Sequence, residues 1–155
     1  MAVVNIMIMK SGLGLNTINI LLADDDTDDC LFFQKALEEI LISNHLTTVH
    51  DGEELMDWFS ANSQQLPDVL FLDLNMPRKT GFECLTEIME NEKLKNIYVV
   101  MLTTSFPRDD AYELHLKNML YGIGAHEYIR KPNDFTKLKE IIHNVLFKMI
   151  RKNNL

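Results

Sequence analysis

The chain has few cysteines, little basic charge and no long apolar run. Its two cysteines, Cys30 and Cys84, form no CxxC pair, which indicates reduced thiols in a cytoplasmic protein. The 15 basic residues against 23 acidic ones leave a net charge of −8, which argues against direct nucleic-acid binding. The N-terminal run MAVVNIMIM is too short to span a bilayer. Because Lys10 follows this run instead of preceding it, no signal peptide is predicted either.

Several common functional motifs are also missing. The five histidines show no ligand spacing such as HExxH, and SGLGLN is a lone GxG without the third glycine of a phosphate-binding loop. There is no internal repeat, and a length of 155 residues suits one domain. We predict a loose N-terminal extension over residues 1–18, a single domain over 19–151 and a short tail over 152–155.

From Asn19 onward, five apolar strand patterns alternate with amphipathic helical patterns. ILLA at 20–23 and DVLFLD at 68–73 are unbroken apolar runs, as in strands buried on both faces. The other strand patterns span 46–50, 97–105 and 126–132. Strict alternation predicts an α/β fold, and the chain is too short for an eight-stranded barrel. We therefore predict a doubly wound (βα)5 three-layer sandwich whose parallel five-stranded sheet has the flavodoxin-like order 2-1-3-4-5.

Capping residues and apolar spacing predict where helices begin and which faces they bury. Thr27 is expected to cap the first helix, and Asp134 the last. A further helix is expected over residues 82–91. The expected core-facing residues are Leu31, Phe32, Ala36, Leu37 and Ile40 in the first helix, and Phe82, Leu85, Ile88 and Met89 in the helix over 82–91.

Polar side chains gather where the predicted strands end. Asp24 and Asp25 follow the first strand, Asp73 closes the third, and Thr103 and Lys131 close the fourth and fifth. Functional groups of doubly wound sheets collect at the carboxyl ends of the strands, so we expect these side chains to lie together. Three neighbouring carboxylates repel one another and need a cation to offset them. A hard divalent ion with oxygen ligands, Mg²⁺ or Mn²⁺, fits this requirement.

Carboxylates, a metal ion, a lysine and a hydroxyl together predict a site that accepts a phosphoryl group. Asp73 would be the nucleophile that forms an acyl phosphate. The metal and Lys131 would neutralise charge on the phosphoryl oxygens during in-line transfer. Thr103 would then bond a phosphoryl oxygen.

Two other chemistries fit the acidic run DDDTDD less well. A calcium loop would use Asp24, Asp26 and Asp28, but it needs glycine where Asp29 stands and glutamate where Lys35 stands. A magnesium-dependent phosphatase of the aspartate-nucleophile type would need D-x-D-x-T/V, and Asp28 occupies the threonine position. This phosphatase stays as an alternative. Asp28 and Asp29 are interpreted as the solvated start of a helix.

The ordered pieces ILLADDD, VLFLDLNMPRKTGFE, VVMLTTS and YIRKP resemble the receiver domains of two-component response regulators. The resemblance covers residues 19–151. Within the family, the chain is similar to stand-alone, chemotaxis-regulator-like receivers. This resemblance implies a cytoplasmic phosphorylation switch, not an independent metabolic enzyme. The phosphoryl donor would be a sensor histidine kinase or a histidine phosphotransfer protein, and the output partner an unknown protein, with no nucleic-acid or membrane partner. A degenerate receiver that only binds protein is a second alternative.

The resemblance also implies a division of roles within the metal site. Asp73 is then the phosphoacceptor. Asp25, Asp73 and the backbone carbonyl of Asn75 would bind Mg²⁺ directly, and Asp24 would bind it through water.

Three further residues take roles from the same resemblance. Lys131 matches the family's catalytic lysine, and Thr103 and Tyr128 match its switch hydroxyl and switch aromatic. In this family the bond from the lysine to the following proline, here Pro132, is cis, so a cis bond is expected.

One stretch departs from the family pattern. Between Thr103 and Lys131 the chain is about six residues longer than usual, and surface segments tolerate such insertions. The extra length falls in SFPRDDAYELHLKN, at or just before the fourth helix. Because family members use the fourth helix, fifth strand and fifth helix as a partner surface, we expect the output surface to differ and the chemistry to be kept. Ser105 is a small side chain at a position where dephosphorylation rates are tuned.

Overall fold

The computed structural model describes residues 17–104 and 110–153, which form five strands and five helices in strict alternation. The strands are β1 (Ile18–Ala23), β2 (Asn44–Val49), β3 (Val69–Asp73), β4 (Tyr98–Thr103) and β5 (Glu127–Arg130). The helices are α1 (Thr27–Glu38), α2 (Gly52–Ala61), α3 (Gly81–Glu90), α4 (Asp110–Ile123) and α5 (Phe135–Asn153). Of these helices, none is both long enough and apolar enough to cross a membrane. Residues 1–16 of the predicted extension, 154–155 of the predicted tail and 105–109 of the longer segment, Ser105 included, lie outside the described residues. The predicted boundaries are otherwise corrected, because β1 already begins at Ile18 and α5 continues to Asn153.

All neighbouring strands pair in parallel, in the order β2-β1-β3-β4-β5. The predicted fold class is therefore confirmed. In this order β1 and β3 are neighbours, with Ala23 opposite Leu72, so the residues that follow β1 emerge beside Asp73. β4 lies on the other side of β3 and places Leu102 opposite Asp73.

The sheet separates two hydrophobic cores. One lies between the sheet and the pair α1 and α5, where Phe71 and Ile142 are fully buried. The other lies between the sheet and helices α2, α3 and α4, where Leu70 and Leu85 are fully buried. Every residue of β3 is buried, as expected for the central strand of a doubly wound sheet. The two cores fix the carboxyl edge of the sheet as a rigid platform.

The predicted cap of α1 is wrong by one residue. Asp26, not Thr27, is the cap, since its carboxylate accepts hydrogen bonds from the backbone N–H groups two and three residues later, at 2.9 and 3.1 Å. Aspartate accepts these bonds at least as well as threonine, and its extended backbone suits the position. At the start of α5, the Asp134 carboxylate accepts a bond from the N–H two residues later at 2.9 Å, in agreement with the predicted cap.

Two expected core residues are instead at the surface. Leu31 is 50% exposed and Phe82 is 36% exposed. In α1 the buried face includes Phe33, Ala36 and Leu37, and Leu31 lies on another side of the helix, toward solvent. In α3 it passes through Leu85 and Ile88, and Phe82 lies at its margin. These helices therefore carry apolar residues beyond the face that packs against the core.

His126 joins β5 to β4 through both its backbone and its side chain. Its N–H donates to the Val99 carbonyl at 2.9 Å, and the Val99 N–H donates to His126 Nδ1 at 3.1 Å. The ring also stacks on Tyr98, with 4.6 Å between centroids. Burial lowers the pKa of His126 below its ordinary value of 6.5, Lys152 lowers it further, and Glu127 opposes the shift only in part. The neutral ring is therefore the form that the fold requires.

We expect His126 to make the domain less stable in mild acid. Because its folded pKa is depressed, the unfolded chain binds a proton first as the pH falls through 6.5, and stability is lost until the folded pKa is reached. His126→Asn keeps an acceptor for Val99 and should flatten this part of the pH profile. Urea unfolding between about pH 5 and 8 measures the free energy of unfolding at each pH. His115→Asn, at an exposed position of α4, is the control. If the unfolding free energy of wild type and of His126→Asn changed equally with pH, His126 would not be the source of the acid sensitivity.

Candidate functional site

Three carboxylates meet at the carboxyl edge of β1 and β3. Asp24, Asp25 and Asp73 each place a carboxylate oxygen within 4.8 Å of the others. Asp24 and Asp73 are buried, with 2% and 3% of their surfaces exposed, and Asp25 is exposed. The adjacent β1 and β3 predicted from strand order thus bring together the carboxylates that the sequence singled out. Two are removed from water and the third faces solvent.

The backbone around β1 holds Asp24 in place. Its N–H donates to the Val49 carbonyl of β2 at 3.1 Å, and its side chain accepts from the Asp26 N–H at 3.0 Å. The Cys30 thiol donates to the Asp24 carbonyl at 3.3 Å. These contacts tie the carboxylate to the first turn of α1 and to the neighbouring strand. Asp24 is therefore a rigid member of the site.

The loop between β3 and α3 is held equally closely. The Asn75 N–H donates to Asp73 Oδ1 at 3.2 Å, and the Gly81 N–H donates to the Leu74 carbonyl at 3.0 Å. A Cβ on Gly81 would lie 2.2 Å from the Asp73 carbonyl oxygen, so only glycine allows α3 to begin this close to the phosphoacceptor candidate. Thr80 caps α3 in a capping box with its Glu83 partner. The exposed Asn75 thus follows Asp73 in a constrained turn.

Lys131 reaches the same cluster from the end of β5. Its Nζ lies 2.7 Å from Asp24 Oδ2 and 3.4 Å from Asp73 Oδ2. Its backbone N–H donates to the Thr103 carbonyl at 2.8 Å, which fixes the start of the side chain against β4. Only 15% of the lysine side chain is exposed. The site therefore contains a buried cation facing two buried carboxylates.

The expected cis bond between Lys131 and Pro132 is wrong for this structure. None of the peptide bonds of the described residues is cis. The trans form is the intrinsically favoured isomer of a bond that precedes proline. With this bond trans, the lysine still contacts both buried carboxylates.

Sequence reasoning missed one member of the site. Asp29 Oδ2 lies 2.9 Å from Lys131 Nζ, whereas the sequence had suggested only a solvated helix start. A signal was present, because Asp29 stands four residues before Phe33 and seven before Ala36, on the core-facing stripe of α1. A carboxylate on that stripe needs a partner, and Lys131 supplies it.

Burial and the contact between opposite charges act in opposite directions on the pKa values of Asp73 and Lys131. Burial raises the pKa of Asp73 from 3.8 to about 7, although Lys131 lowers it and the Asn75 N–H bond lowers it slightly, while Asp24 raises it further. Burial also lowers the pKa of Lys131, but its contacts with Asp24, Asp29 and Asp73 outweigh this and raise the pKa overall. The lysine is cationic at neutral pH, and one lysine does not fully compensate the carboxylates.

Thr103 and Tyr128 lie together beside the cluster. Thr103 is 1% exposed, and its hydroxyl donates to the Tyr128 hydroxyl at 3.2 Å. The Tyr128 N–H in turn donates to the Tyr121 hydroxyl of α4 at 3.2 Å, and Lys117 Nζ lies 5.2 Å from the Tyr128 ring centre. The predicted switch pair is thus one hydrogen bond apart and connected to α4. Its role in switching stays a prediction.

The donor set fits a hard divalent cation. Asp24, Asp25 and Asp73 offer only oxygen ligands, in an arrangement compatible with a divalent metal ion. A divalent ion would neutralise the charge that Lys131 leaves uncompensated. The exposed Asp25 leaves one side of the cluster open to water, which suits an ion that keeps part of its hydration shell.

Comparison with known proteins places this site in a described family. The family model for the response regulator receiver domain matches residues 20–143. By sequence, the response regulator Rcp1 of Synechocystis sp. is 38% identical over 104 residues, which cover 63% of this chain and 71% of Rcp1.

Solved structures agree with the sequence match. The phosphorylated cyanobacterial phytochrome response regulator RcpA superimposes with a TM-score of 0.70 at 32% identity, covering 84% of this chain and 91% of RcpA. The Mn²⁺-bound form of Rcp1 superimposes with a TM-score of 0.69 at 30% identity, covering 83% of this chain and 91% of that one.

We expect Asp73→Asn to stabilise the metal-free protein. Since the pKa of Asp73 is raised from 3.8 to about 7 on folding, stability that is present below pH 4 is lost as the pH rises through 7. Asparagine removes the buried charge, and Lys131 keeps Asp24 and Asp29 as partners. In EDTA at about pH 8, thermal unfolding should shift upward by at least about 2–4 °C, the change that 1 kcal/mol produces in a domain of this size.

The same experiment carries its own controls. The gain from Asp73→Asn should shrink at about pH 5, where the wild-type carboxyl is already protonated. Asp25→Asn makes the same chemical change at an exposed position and should alter the metal-free melting temperature less. Added Mg²⁺ should stabilise wild type more than Asp73→Asn. A lower melting temperature for Asp73→Asn in EDTA would contradict the burial argument.

Proposed function

Since the chain belongs to the response regulator receiver domain family, we propose that it accepts a phosphoryl group on Asp73 in a Mg²⁺-dependent reaction. It is a response regulator receiver like Rcp1 and RcpA. The observation that carries the proposal is the burial of Asp73 beside two further carboxylates and 3.4 Å from the Lys131 ammonium. No relative named above supports the alternative of a phosphomonoester hydrolase.

The chemistry follows from these positions. An Asp73 carboxylate oxygen attacks the phosphorus of a phosphohistidine, the P–N bond breaks, and its electron pair returns to the histidine nitrogen. Lys131 is positioned to neutralise charge on a phosphoryl oxygen. In a separate, slow deactivation step, water attacks the phosphorus of the acyl phosphate, the P–O bond to Asp73 breaks, and inorganic phosphate leaves. The protein would thereby serve as a signalling phosphoacceptor whose own carboxylate receives the phosphoryl group.

Mg²⁺ is the proposed metal, with Mn²⁺ as a substitute. Asp25, Asp73 and the backbone carbonyl of Asn75 would hold it directly and Asp24 through water. When bound, the ion supplies positive charge to the phosphoryl oxygens during transfer. Support comes from the all-oxygen donor set and from the Mn²⁺-bound structure of Rcp1.

Thr103 and Tyr128 are proposed to convey phosphorylation to the surface. In the phosphorylated state the Thr103 hydroxyl would bond a phosphoryl oxygen and its present bond to Tyr128 would change. Because Tyr128 contacts Tyr121 and Lys117 of α4, this change would alter α4 and β5. The longer segment before and within α4 then distinguishes the output surface of this protein, whose partner would be another protein.

Receiver domains are phosphorylated by histidine kinases or phosphotransfer proteins, and the same class of donor is expected here. We further propose a phytochrome-type histidine kinase as the donor, supported by the similarity to the phytochrome response regulator RcpA. The site chemistry itself requires only a phosphohistidine.

Incubation with Mg²⁺ and acetyl phosphate should add a single phosphoryl group, detected by intact-protein mass spectrometry. Asp73→Asn should abolish the adduct, and EDTA should prevent its formation. Asp57→Asn, an exposed carboxylate of α2, should form it normally. Lys131→Ala should slow its formation by roughly 100-fold or more, the usual cost of removing one preorganised charge-stabilising group.

Other outcomes would select the alternatives. Steady hydrolysis of a phosphomonoester by the wild type would indicate an aspartate-nucleophile phosphatase. A folded wild type that forms no adduct with acetyl phosphate would indicate a degenerate receiver that only binds protein.

The donor class is tested by phosphotransfer. A phosphorylated cyanobacterial phytochrome kinase should lose its label to wild type faster than a phosphorylated chemotaxis kinase at equal concentration, because docking surfaces distinguish donors that share the same phosphohistidine chemistry. Radiolabel transfer over seconds to minutes measures both rates. Equal or reversed rates would reject the phytochrome assignment while leaving Asp73 as phosphoacceptor.

A further inference from the structure

Lys131 is shared among three carboxylates, one of which belongs to neither the metal cluster nor the phosphoacceptor. Its Nζ lies 2.7 Å from Asp24 Oδ2, 2.9 Å from Asp29 Oδ2 and 3.4 Å from Asp73 Oδ2. The ammonium group is thus closer to Asp29 than to the residue that it is expected to serve. Asp29 comes from the first turn of α1, 102 positions before Lys131.

Asp29 is not needed to start its helix. Asp26 already caps α1, and Asp28 already supplies an acidic side chain to the first turn. The Asp29 side chain is 40% exposed, whereas the Lys131 side chain is 15% exposed. Asp29 is therefore the more solvent-exposed partner of this ion pair.

We propose that Asp29 is a positioning residue that competes with Asp73 for the Lys131 ammonium and thereby opposes phosphorylation. This inference rests on the proposed function of Asp73 as phosphoacceptor. A dianionic phosphoryl group on Asp73 and the Asp29 carboxylate compete for the same ammonium, whose three protons already have Asp24, Asp29 and Asp73 as partners. For the lysine to contact the phosphoryl group fully, its bond to Asp29 has to lengthen.

This competition determines the direction and size of the change in phosphorylation when the Asp29 charge is removed. Asp29 stabilises the unphosphorylated arrangement through its ion pair and destabilises the phosphorylated one through like-charge repulsion. Because the carboxylate is partly exposed, solvent screens both contributions. Removing the charge should therefore favour the phosphorylated state by roughly two- to fivefold, the range for ion pairs with one solvent-accessible partner.

The test compares wild type with Asp29→Asn, which keeps the side-chain volume and removes the charge. At saturating Mg²⁺, Asp29→Asn should react with acetyl phosphate roughly two- to fivefold faster and bind beryllium fluoride, a phosphoryl analogue, more tightly by a similar factor. Asp29→Glu restores the carboxylate and should return both values toward wild type. Both differences should shrink at high ionic strength, because the interaction is between charges.

Asp28→Asn is the matched control. Asp28 is one residue away in the same helical turn, is exposed, and has no side-chain contact with Lys131 among the described residues. It removes the same charge from the helix start, so it accounts for any effect on helix stability or net charge. The nitrogen and hydrogen resonances of the Lys131 ammonium should move in Asp29→Asn and stay in place in Asp28→Asn.

The outcomes separate this inference from the proposed function. If wild type forms the Asp73 adduct but Asp29→Asn and Asp28→Asn behave alike, the inference is wrong and the proposed function stands. Slower phosphorylation of Asp29→Asn with an unchanged melting temperature would also overturn it, since Asp29 would then assist the reaction. If wild type forms no adduct, the proposed function fails and the inference fails with it.

Discussion

The structure depends on repulsion among carboxylates at the end of one pair of strands. The order of the sheet makes β1 and β3 neighbours, so Asp24 and Asp73 are buried side by side. Two buried anions at this distance are unstable without positive charge, and Lys131 supplies part of it. Burial, together with the neighbouring Asp24, raises the pKa of Asp73, and the negative charge that remains suits a divalent ion. The same imbalance that costs stability in the metal-free protein is thus what a divalent ion would offset.

The fold contributes the positions of these charges and keeps them fixed. The β4–β5 pairing holds the Lys131 backbone on the Thr103 carbonyl, and the close approach of Gly81 holds the turn after Asp73. The charged groups thereby come from the ends of β1, β3 and β5 and from the first turn of α1, elements that pack into the two cores. An electrostatic site of this kind works because its charges cannot move apart to relieve their repulsion.

Much of this arrangement could be predicted from the sequence, because it depends on strand ends. Apolar runs identify the five strands, parallel pairing aligns their carboxyl ends, and Asp24, Asp73 and Lys131 follow as neighbours. Side-chain directions could not be predicted in the same way. Leu31 is exposed because the phase of α1 depends on packing against α5, and Asp29 joins Lys131 for the same reason. The helical pattern of α1 places Asp29 on its core-facing stripe, but the partner of Asp29 and the exposure of Leu31 required the structure.

The position of Asp29 matters for how signalling and stability are balanced in this protein. A lysine held only by Asp24 and Asp73 would already be directed at the phosphoacceptor. With Asp29 as a third partner, the unphosphorylated site has a satisfied lysine even without a metal or a phosphoryl group. In the proposed mechanism, phosphorylation of Asp73 would require exchange of one ion pair for another instead of simple charge neutralisation. Such an exchange would change contacts at both α1 and β4–β5, and it would couple the chemistry at Asp73 to two surfaces of the domain.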